Sequence, residues 1–115
     1  MLRGEVRIID LEPIRGTEAN KRRPAVLVSN DAANSTVARL GRGVLTVVPV
    51  TSSVGRVYPF QVLLPAGTAG LREDSKAQAE QVRSVDAGRV GERLGQLPDR
   101  LMASLDDALR LHLAL

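Results

Sequence analysis

The sequence predicts a small α+β domain in which several short strands precede one packing helix. Apolar and β-branched residues fall in short runs that are separated by turns containing glycine or proline. A three- and four-residue apolar spacing, typical of an amphipathic helix, is clearest near the C-terminus. With 115 residues, the chain can bury roughly two thirds of its unfolded surface. We therefore expect residues 1–115 to form a single domain.

The first half of the chain predicts three strands. Weak alternation favours a strand over Glu5–Asp10, followed by a polar loop over residues 11–22. Pro24 is tolerable as the first residue of a strand, and the apolar run 25–28 after it indicates a buried second strand. Residues 31–40 are small and polar, as in a turn or a short helix. The β-branched run 44–50 predicts a third strand that ends at Thr51.

The second half predicts further strands and the packing helix. Residues 57–64 alternate, but Pro59 within them implies an edge strand or a bulge. Residues 75–85 alternate like a strand, whereas their alanine and glutamine content favours a helix. A last short strand is expected over residues 93–97, and Pro98 then opens a helix. Its apolar stripe comprises Leu101, Leu105, Ala108, Leu109, His112 and Leu113.

The composition narrows the functional classes. There is no cysteine, so disulfides and thiol chemistry are excluded. No apolar run approaches the roughly 20 residues that span a bilayer, and no signal peptide is evident, so we expect a cytoplasmic protein with no membrane partner. The net charge is +3 and the excess is rich in arginine. This favours a polyanion or an acidic protein partner, although a generally arginine-rich composition explains it equally well.

Arg23 is a candidate anion-binding residue. A residue before proline is extended, so Arg23 should project from the junction between a polar loop and a buried strand. A planar guanidinium held there can form two parallel hydrogen bonds to a phosphate or a carboxylate. The alternative is an ordinary surface arginine, whose ion pairs contribute about 0 to 1 kcal/mol.

The other chemistry-bearing residues argue against metal and cofactor sites. The single histidine, His112, lies near the end of the predicted helix, where a surface or packing role is expected. Asp106 and Asp107 are adjacent on that helix and point about 100° apart, so they cannot converge on one Mg²⁺ ion. No glycine-rich phosphate-binding loop is present. We therefore expect neither a metal nor a cofactor.

Segments along nearly the whole chain resemble the MazF/PemK/Kid toxins of bacterial toxin–antitoxin pairs. They are residues 3–13, 16–18, 23–31, 47–52 and 74–85, in the order of the family. The resemblance implies an SH3-like β-barrel with a C-terminal helix, and a strand within residues 75–85. It also implies a homodimer whose basic groove is covered by the acidic C-terminal segment of a MazE-like antitoxin.

The resemblance further implies a sequence-specific, metal-independent endoribonuclease that cleaves single-stranded RNA and so inhibits translation and growth. The 2′-hydroxyl of the RNA attacks the adjacent phosphate, leaving a 2′,3′-cyclic phosphate. The catalytic pair of the family falls on Arg23 and Thr51. Because a guanidinium is a poor acid or base near neutrality, we expect Arg23 to stabilise charge, with Thr51 adding a hydroxyl to the same phosphate.

The remaining site predictions concern RNA binding. Two polar segments, residues 11–22 and 51–56, are expected to determine which RNA sequence is bound. The candidate RNA-binding residues in them are Glu18, Lys21, Arg22, Ser52, Ser53 and Arg56. Gln81 and Arg83 are expected to line the groove or the dimer interface. Arg7 stands where many relatives carry an aromatic residue, so any packing or stacking by that ring is missing.

Two other functions on the same fold stay open. One is a non-catalytic, gyrase-poisoning toxin like CcdB, which acts through a tryptophan-containing C-terminal end, but this chain contains no tryptophan. The other is a module that binds nucleic acid without cutting it. Such a module differs from the nuclease only in that no RNA cleavage product forms.

Overall fold

The computed structural model describes residues 1–11 and 22–115 and has the expected mixed α+β architecture. The strands are Glu5–Asp10 (β1), Arg22–Leu27 (β2), Val44–Thr51 (β3), Gln61–Leu64 (β4), Ser75–Gln78 (β5), Arg83–Asp86 (β6) and Val90–Gln96 (β7). The helices are Asp31–Leu40 (α1) and Asp99–Leu113 (α2). Neither of these helices is long and apolar enough to cross a membrane.

The strands form one antiparallel sheet in the order β4-β5-β3-β2-β1-β7, with β6 also paired to β3. One edge of the long strand β3 pairs with two strands. Val44 to Val47 pair with β6, whereas Val50 and Thr51 pair with β5. Its other edge pairs with β2. Within residues 1–11 and 22–115 no pairing joins β4 to β7, so the sheet is open and the closed barrel implied by the resemblance is not observed.

Alternate residues of the strands belong to two separate cores. Val26 packs in a cluster with Val6 and Val48 beneath α2, whereas its neighbours Ala25 and Leu27 pack in a second cluster. Because successive side chains of a strand point to opposite faces, the two cores lie on opposite sides of the sheet. The second core also contains Val37 of α1 and, from β3, the buried side chains of Leu45 and Val47.

Helix α1 is fixed by local capping. The Asn30 side chain accepts a 2.8 Å hydrogen bond from the Ala33 amide, and the helix ends at Gly41, whose φ is 70° and whose amide donates to the Val37 carbonyl. Asparagine is among the strongest N-caps, and glycine tolerates the left-handed conformation of a C-cap. The sequence left a turn or a short helix open here, and the structure selects the helix.

The predicted strand over residues 57–64 is wrong in its first half, because β4 begins only at Gln61. The Gln61 side chain accepts a 3.1 Å hydrogen bond from the Tyr58 amide, and the Gln61 amide donates to the Tyr58 carbonyl at 2.9 Å. These bonds close a turn around Pro59, which has no amide hydrogen to offer a neighbouring strand.

Three other boundaries also differ from the prediction. The last strand, expected over residues 93–97, spans Val90–Gln96. The second strand begins at Arg22, so Pro24 lies inside it, opposite Ile8. Residues 75–85 contain two strands, β5 and β6, and a 3₁₀ turn at Ala79–Gln81 separates them. The alternating pattern of that segment belongs to the two strands, and the turn between them contains Ala79 and Gln81. In α2, Leu101, Leu105 and Ala108 are buried as predicted, whereas His112 and Leu113 are exposed.

Arg7 belongs to a charge cluster on β1. Its Nε donates to the Glu5 carboxylate at 2.9 Å and its Nη1 donates to the Gly91 carbonyl at 3.0 Å. Glu5 is 5% exposed, and Arg93 Nε lies 3.6 Å from its other oxygen. Burial alone would raise the pKa of Glu5, but hydrogen bonds from Arg7 and Leu2 and the charge of Arg7 hold it below its ordinary value.

Glu5 is therefore expected to make stability depend on pH under acid conditions. A carboxyl whose pKa is lowered by folding contributes stability above its unfolded pKa, and loses that contribution as the pH falls through the folded value. We expect the free energy of unfolding, measured by urea titration, to fall below about pH 4.5, the ordinary pKa. Glu5→Gln should be less stable at pH 7 and show a flatter acid limb. An equally steep limb in the variant would contradict this assignment.

Candidate active site

An open cleft lies where β2 begins and β3 ends. Its volume is about 360 Å³. Both predicted catalytic residues, Arg23 and Thr51, line it, and so does the RNA-binding candidate Ser52. The full lining consists of Arg23, Pro24, Val50, Thr51, Ser52, Leu71, Arg72, Glu73 and Ser75.

Strand pairing brings the two predicted catalytic residues to the same end of the sheet. Ala25 lies opposite Pro49 in the antiparallel register of β2 and β3, and this is the last pair between the two strands on that side. Arg23 and Thr51 each lie two residues beyond this pair, and both line the cleft. The guanidinium and the hydroxyl can therefore approach one ligand in the cleft.

The Arg23 side chain is available to such a ligand. It is exposed, and no hydrogen bond or ion pair engages its guanidinium within the described residues. A guanidinium offers five N–H donors and keeps its charge at any physiological pH. An exposed arginine in a concave, open site is the arrangement expected for binding a phosphate group.

The Thr51 hydroxyl is oriented by the backbone that follows it. Its Oγ1 accepts a 3.2 Å hydrogen bond from the Ser53 amide. A hydroxyl has one hydrogen to donate and two lone pairs to accept, so this contact leaves the hydroxyl hydrogen free for a ligand oxygen. Ser53 thus acts on the site through Thr51, and it does not line the cleft itself.

The opposite wall of the cleft was not predicted. It is formed by residues 71–75, where Leu71 is buried at 5% exposure and Arg72 and Glu73 are exposed at the surface. The Asp74 carboxylate accepts from the Ala66 amide at 2.9 Å, and Ser75 Oγ donates to the Glu73 carbonyl at 2.9 Å. The only sequence signal was that a segment resembling the family begins at Asp74. Nothing in the linear spacing indicated that this segment folds against Arg23.

A buried lysine lies next to Thr51 on the neighbouring strand. Lys76 of β5 is the register partner of Thr51 and is 8% exposed. Its ammonium donates to the Arg56 carbonyl at 2.5 Å. This bond fixes the segment after β3, which carries the RNA-binding candidate Arg56, beside the cleft. Sequence reasoning missed Lys76 because burial of a lysine cannot be read from an alternating polar segment.

The other predicted RNA-binding residues lie outside the cleft lining. Arg22 is exposed at the start of β2 and is the register partner of Asp10. Gln81 is exposed in the turn between β5 and β6, and Arg83 of β6 is the register partner of Val47. Glu18 and Lys21 fall outside the described residues. No group of three histidine, aspartate or glutamate side chains that could hold a metal ion occurs in the described part of the chain.

The family model of the PemK-like, MazF-like toxins of type II toxin–antitoxin systems matches residues 2–113. The chain belongs to this family. The predicted family resemblance is thereby confirmed over nearly the whole length.

Individual relatives of this PemK/MazF chain agree with the family match. It is 59% identical over 115 residues to endoribonuclease MazF9 of Mycobacterium tuberculosis, covering 100% of this chain and 98% of the relative. It is 32% identical over 114 residues to endoribonuclease EndoA of Bacillus subtilis, covering 98% and 94%. Its fold matches the crystal structure of MazE–MazF (Form-II) from Deinococcus radiodurans with a TM-score of 0.79 and 30% identity, covering 100% of this chain and 96% of that one.

Proposed function

We propose that this chain is a metal-independent endoribonuclease toxin that cleaves single-stranded RNA. The observation that carries the proposal is the unpaired Arg23 guanidinium beside the Thr51 hydroxyl in one open cleft of the described structure. The relatives named endoribonuclease support the reaction class, because two of them align over nearly the whole chain. Residues 1–115 act as one toxin domain.

The substrate supplies the nucleophile in the proposed reaction. The 2′-oxygen of the RNA attacks the adjacent phosphorus as its proton leaves to solvent, and the bond from phosphorus to the 5′-oxygen breaks. The 5′-oxygen takes up a proton, so the products are a 2′,3′-cyclic phosphate and a 5′-hydroxyl. Negative charge accumulates on the phosphoryl oxygens in the transition state, and fixed donors placed there accelerate the step.

Arg23 and Thr51 are the groups that stabilise this charge. Arg23 donates two parallel N–H bonds to the phosphoryl oxygens, and the Thr51 hydroxyl donates a third. A donor of this kind contributes about 3 to 4 kcal/mol in the transition state. We assign no proton transfer to this arginine, because a guanidinium is a poor acid or base near neutrality.

The proposed substrate contacts extend from the cleft along the basic surface. Arg22, Ser52, Ser53 and Arg56 lie on the elements that border the cleft, and we assign them to RNA binding together with Glu18, Lys21, Gln81 and Arg83. Contacts of this kind select the bases around the cut, and the resulting cleavage of messenger RNA inhibits translation and growth. The reaction takes place in the cytoplasm.

Two protein partners complete the proposal. The structural neighbour from D. radiodurans is a MazE–MazF structure, which supports a cognate antitoxin for this chain. An acidic segment of that antitoxin would occupy the site of the RNA phosphates, since the described cleft lining carries Arg23 and Arg72 against the single acid Glu73. We also propose a homodimer, as implied by the family resemblance.

The test is cleavage of a long single-stranded RNA by the purified chain in the presence of EDTA. We expect discrete products whose 3′ ends carry a cyclic phosphate. An otherwise identical oligonucleotide with a 2′-deoxy sugar at the mapped cut should bind with similar affinity and stay intact, because it lacks the nucleophile. Phosphatase and kinase treatment of the products distinguishes a cyclic phosphate from a free 3′-hydroxyl.

Several outcomes would reject the proposal. Cleavage of the deoxy-substituted oligonucleotide would exclude attack by the 2′-oxygen. Binding without any product would favour a nucleic-acid-binding module, and inhibition of DNA gyrase with no RNA cleavage would favour a CcdB-like toxin. Activity that EDTA abolishes and Mg²⁺ restores would overturn the metal-independent reaction.

A further inference from the structure

The only two aromatic six-membered rings of the chain lie together just after the cleft. Tyr58 and Phe60 are the single tyrosine and the single phenylalanine, and there is no tryptophan. Their rings stack with centroids 5.3 Å apart and planes 3° apart. The Tyr58 residue is 41% exposed, so part of its surface is open to a ligand.

The segment that carries Tyr58 is anchored by hydrogen bonds on both sides of the ring. Gln61 holds the backbone of Tyr58 through two bonds, and its own Nε2 donates to the Glu80 carboxylate at 2.7 Å. On the other side, Lys76 holds the Arg56 carbonyl. An exposed ring on an anchored backbone loses little conformational entropy when a second flat group stacks on it.

Two cations surround this ring. The Arg56 guanidinium carbon lies 5.2 Å and the Lys76 ammonium 6.0 Å from the Tyr58 ring centroid. Within the described residues no carboxylate lies at ion-pair distance from either cation. Arg56 is exposed, so its charge is available to a phosphate beside a nucleobase. Lys76 is buried and holds the Arg56 backbone in place. Single-stranded nucleic acid is bound by such combinations of ring faces and cations.

The position of the ring relates it to the reaction centre. Lys76 is the register partner of Thr51, and its side chain reaches both the Arg56 carbonyl and the Tyr58 ring. The Lys76 side chain therefore extends from the strand position paired with Thr51 to the neighbourhood of the Tyr58 ring. This arrangement suits a base close in sequence to the cleaved phosphate.

We propose that Tyr58 is a stacking platform for one nucleobase next to the phosphate bound at Arg23 and Thr51. The inference rests on the proposed ribonuclease function and adds a residue that holds the substrate through one of its bases. The exposed Arg56 neutralises a phosphate next to the stacked base, and the buried Lys76 holds the Arg56 backbone in place. The platform accepts any base, because every base has a π-face.

The test combines variants of Tyr58 with abasic substitutions in the RNA. A non-cleavable oligonucleotide, with a 2′-deoxy sugar at the cut, is prepared with one abasic position at each site around the cut. Its affinity for the wild type, Tyr58→Leu and Tyr58→Phe is measured by fluorescence anisotropy. We expect Tyr58→Leu to bind the intact oligonucleotide about tenfold more weakly, the size of a typical base-stacking loss, and Tyr58→Phe to bind nearly as well as the wild type.

The decisive result is that, at one abasic position, the loss of affinity does not add to the loss caused by Tyr58→Leu. Removing the stacked base should weaken binding by the wild type about tenfold and leave Tyr58→Leu unchanged, since the contact is already absent. Val57→Ala, an exposed neighbour on the same segment, serves as the matched control and should show neither effect. Additive losses at every abasic position would overturn the proposal.

Two further outcomes distinguish the platform from a dimer contact and from the proposed cleavage reaction. If Tyr58→Leu shifts the oligomeric state in analytical ultracentrifugation and leaves RNA affinity unchanged, the ring is a contact with a second copy, and the platform is rejected. The anisotropy assay needs no cleavage. Failure of the proposed nuclease reaction therefore appears in the product assay alone and is distinguishable from failure of the platform.

Discussion

Replacing Arg23 with lysine is expected to lower kcat for RNA cleavage by a factor of about 100 or more. Lysine keeps the positive charge but cannot offer two parallel N–H bonds to one phosphoryl group. A lost transition-state donor of this type typically lowers the rate by about 10² to 10³. Single-turnover kinetics at saturating enzyme give the cleavage rate without a contribution from binding.

Arg39→Lys provides the matched control for this prediction. Arg39 is an exposed arginine in the last turn of α1 and does not line the cleft. The control should keep the wild-type rate, and circular dichroism should show that both variants are folded. A lysine variant of Arg23 with an undiminished rate would mean that charge alone is sufficient, and the bidentate geometry would have to be abandoned.

Replacing Gly70 with alanine is expected to destabilise the fold by about 2 to 5 kcal/mol. Gly70 has a φ of +79°, and a methyl group there would overlap the carbonyl group of Leu94 in β7. A non-glycine residue in the left-handed region costs about 1 to 2 kcal/mol, and overpacking adds about 1 to 3 kcal/mol. Urea denaturation measures the sum, provided that the m-value is unchanged.

Gly67→Ala separates the two contributions. Gly67 has a similar φ of +87°, but a methyl group there would meet no atom within 4 Å. It should therefore cost only about 1 to 2 kcal/mol. Equal losses in the two variants would show that the contact with β7 is unimportant. Because Gly70 immediately precedes Leu71, the first residue of the unpredicted cleft wall, we also expect Gly70→Ala to reduce RNA cleavage beyond its effect on the folded fraction.

The elements that the sequence predicts well are those specified by their own residues. The strand over 44–50 follows from its β-branched side chains, and α2 follows from Pro98 and from an apolar stripe that is buried at Leu101, Leu105 and Ala108. The strand over 57–64 fails because its alternation is overridden by the Gln61 side chain, which captures the Tyr58 amide. Such a bond forms only where the chain turns, and an alternating pattern of apolar and polar residues does not indicate that turn.

The sequence predicted individual residues of the candidate site but not how they come together in space. The resemblance assigned Arg23 and Thr51, and Pro24 predicted an extended arginine. Their adjacency, however, depends on the register between β2 and β3, which no single strand specifies. The wall at residues 71–75 and the buried Lys76 depend on a pairing between strands that lie far apart along the chain, so local sequence patterns contain no signal for them.

The two-edged pairing of β3 has a consequence for how such toxins diversify. Thr51 belongs to the strand with partners on both edges, β2 on one side and β6 and β5 on the other, whereas Tyr58 belongs to a segment anchored by a few side chains. Substitutions around Tyr58 can therefore change how tightly RNA is held without moving the Thr51 hydroxyl. We expect relatives that differ in that segment to differ in RNA affinity and to keep this hydroxyl in place.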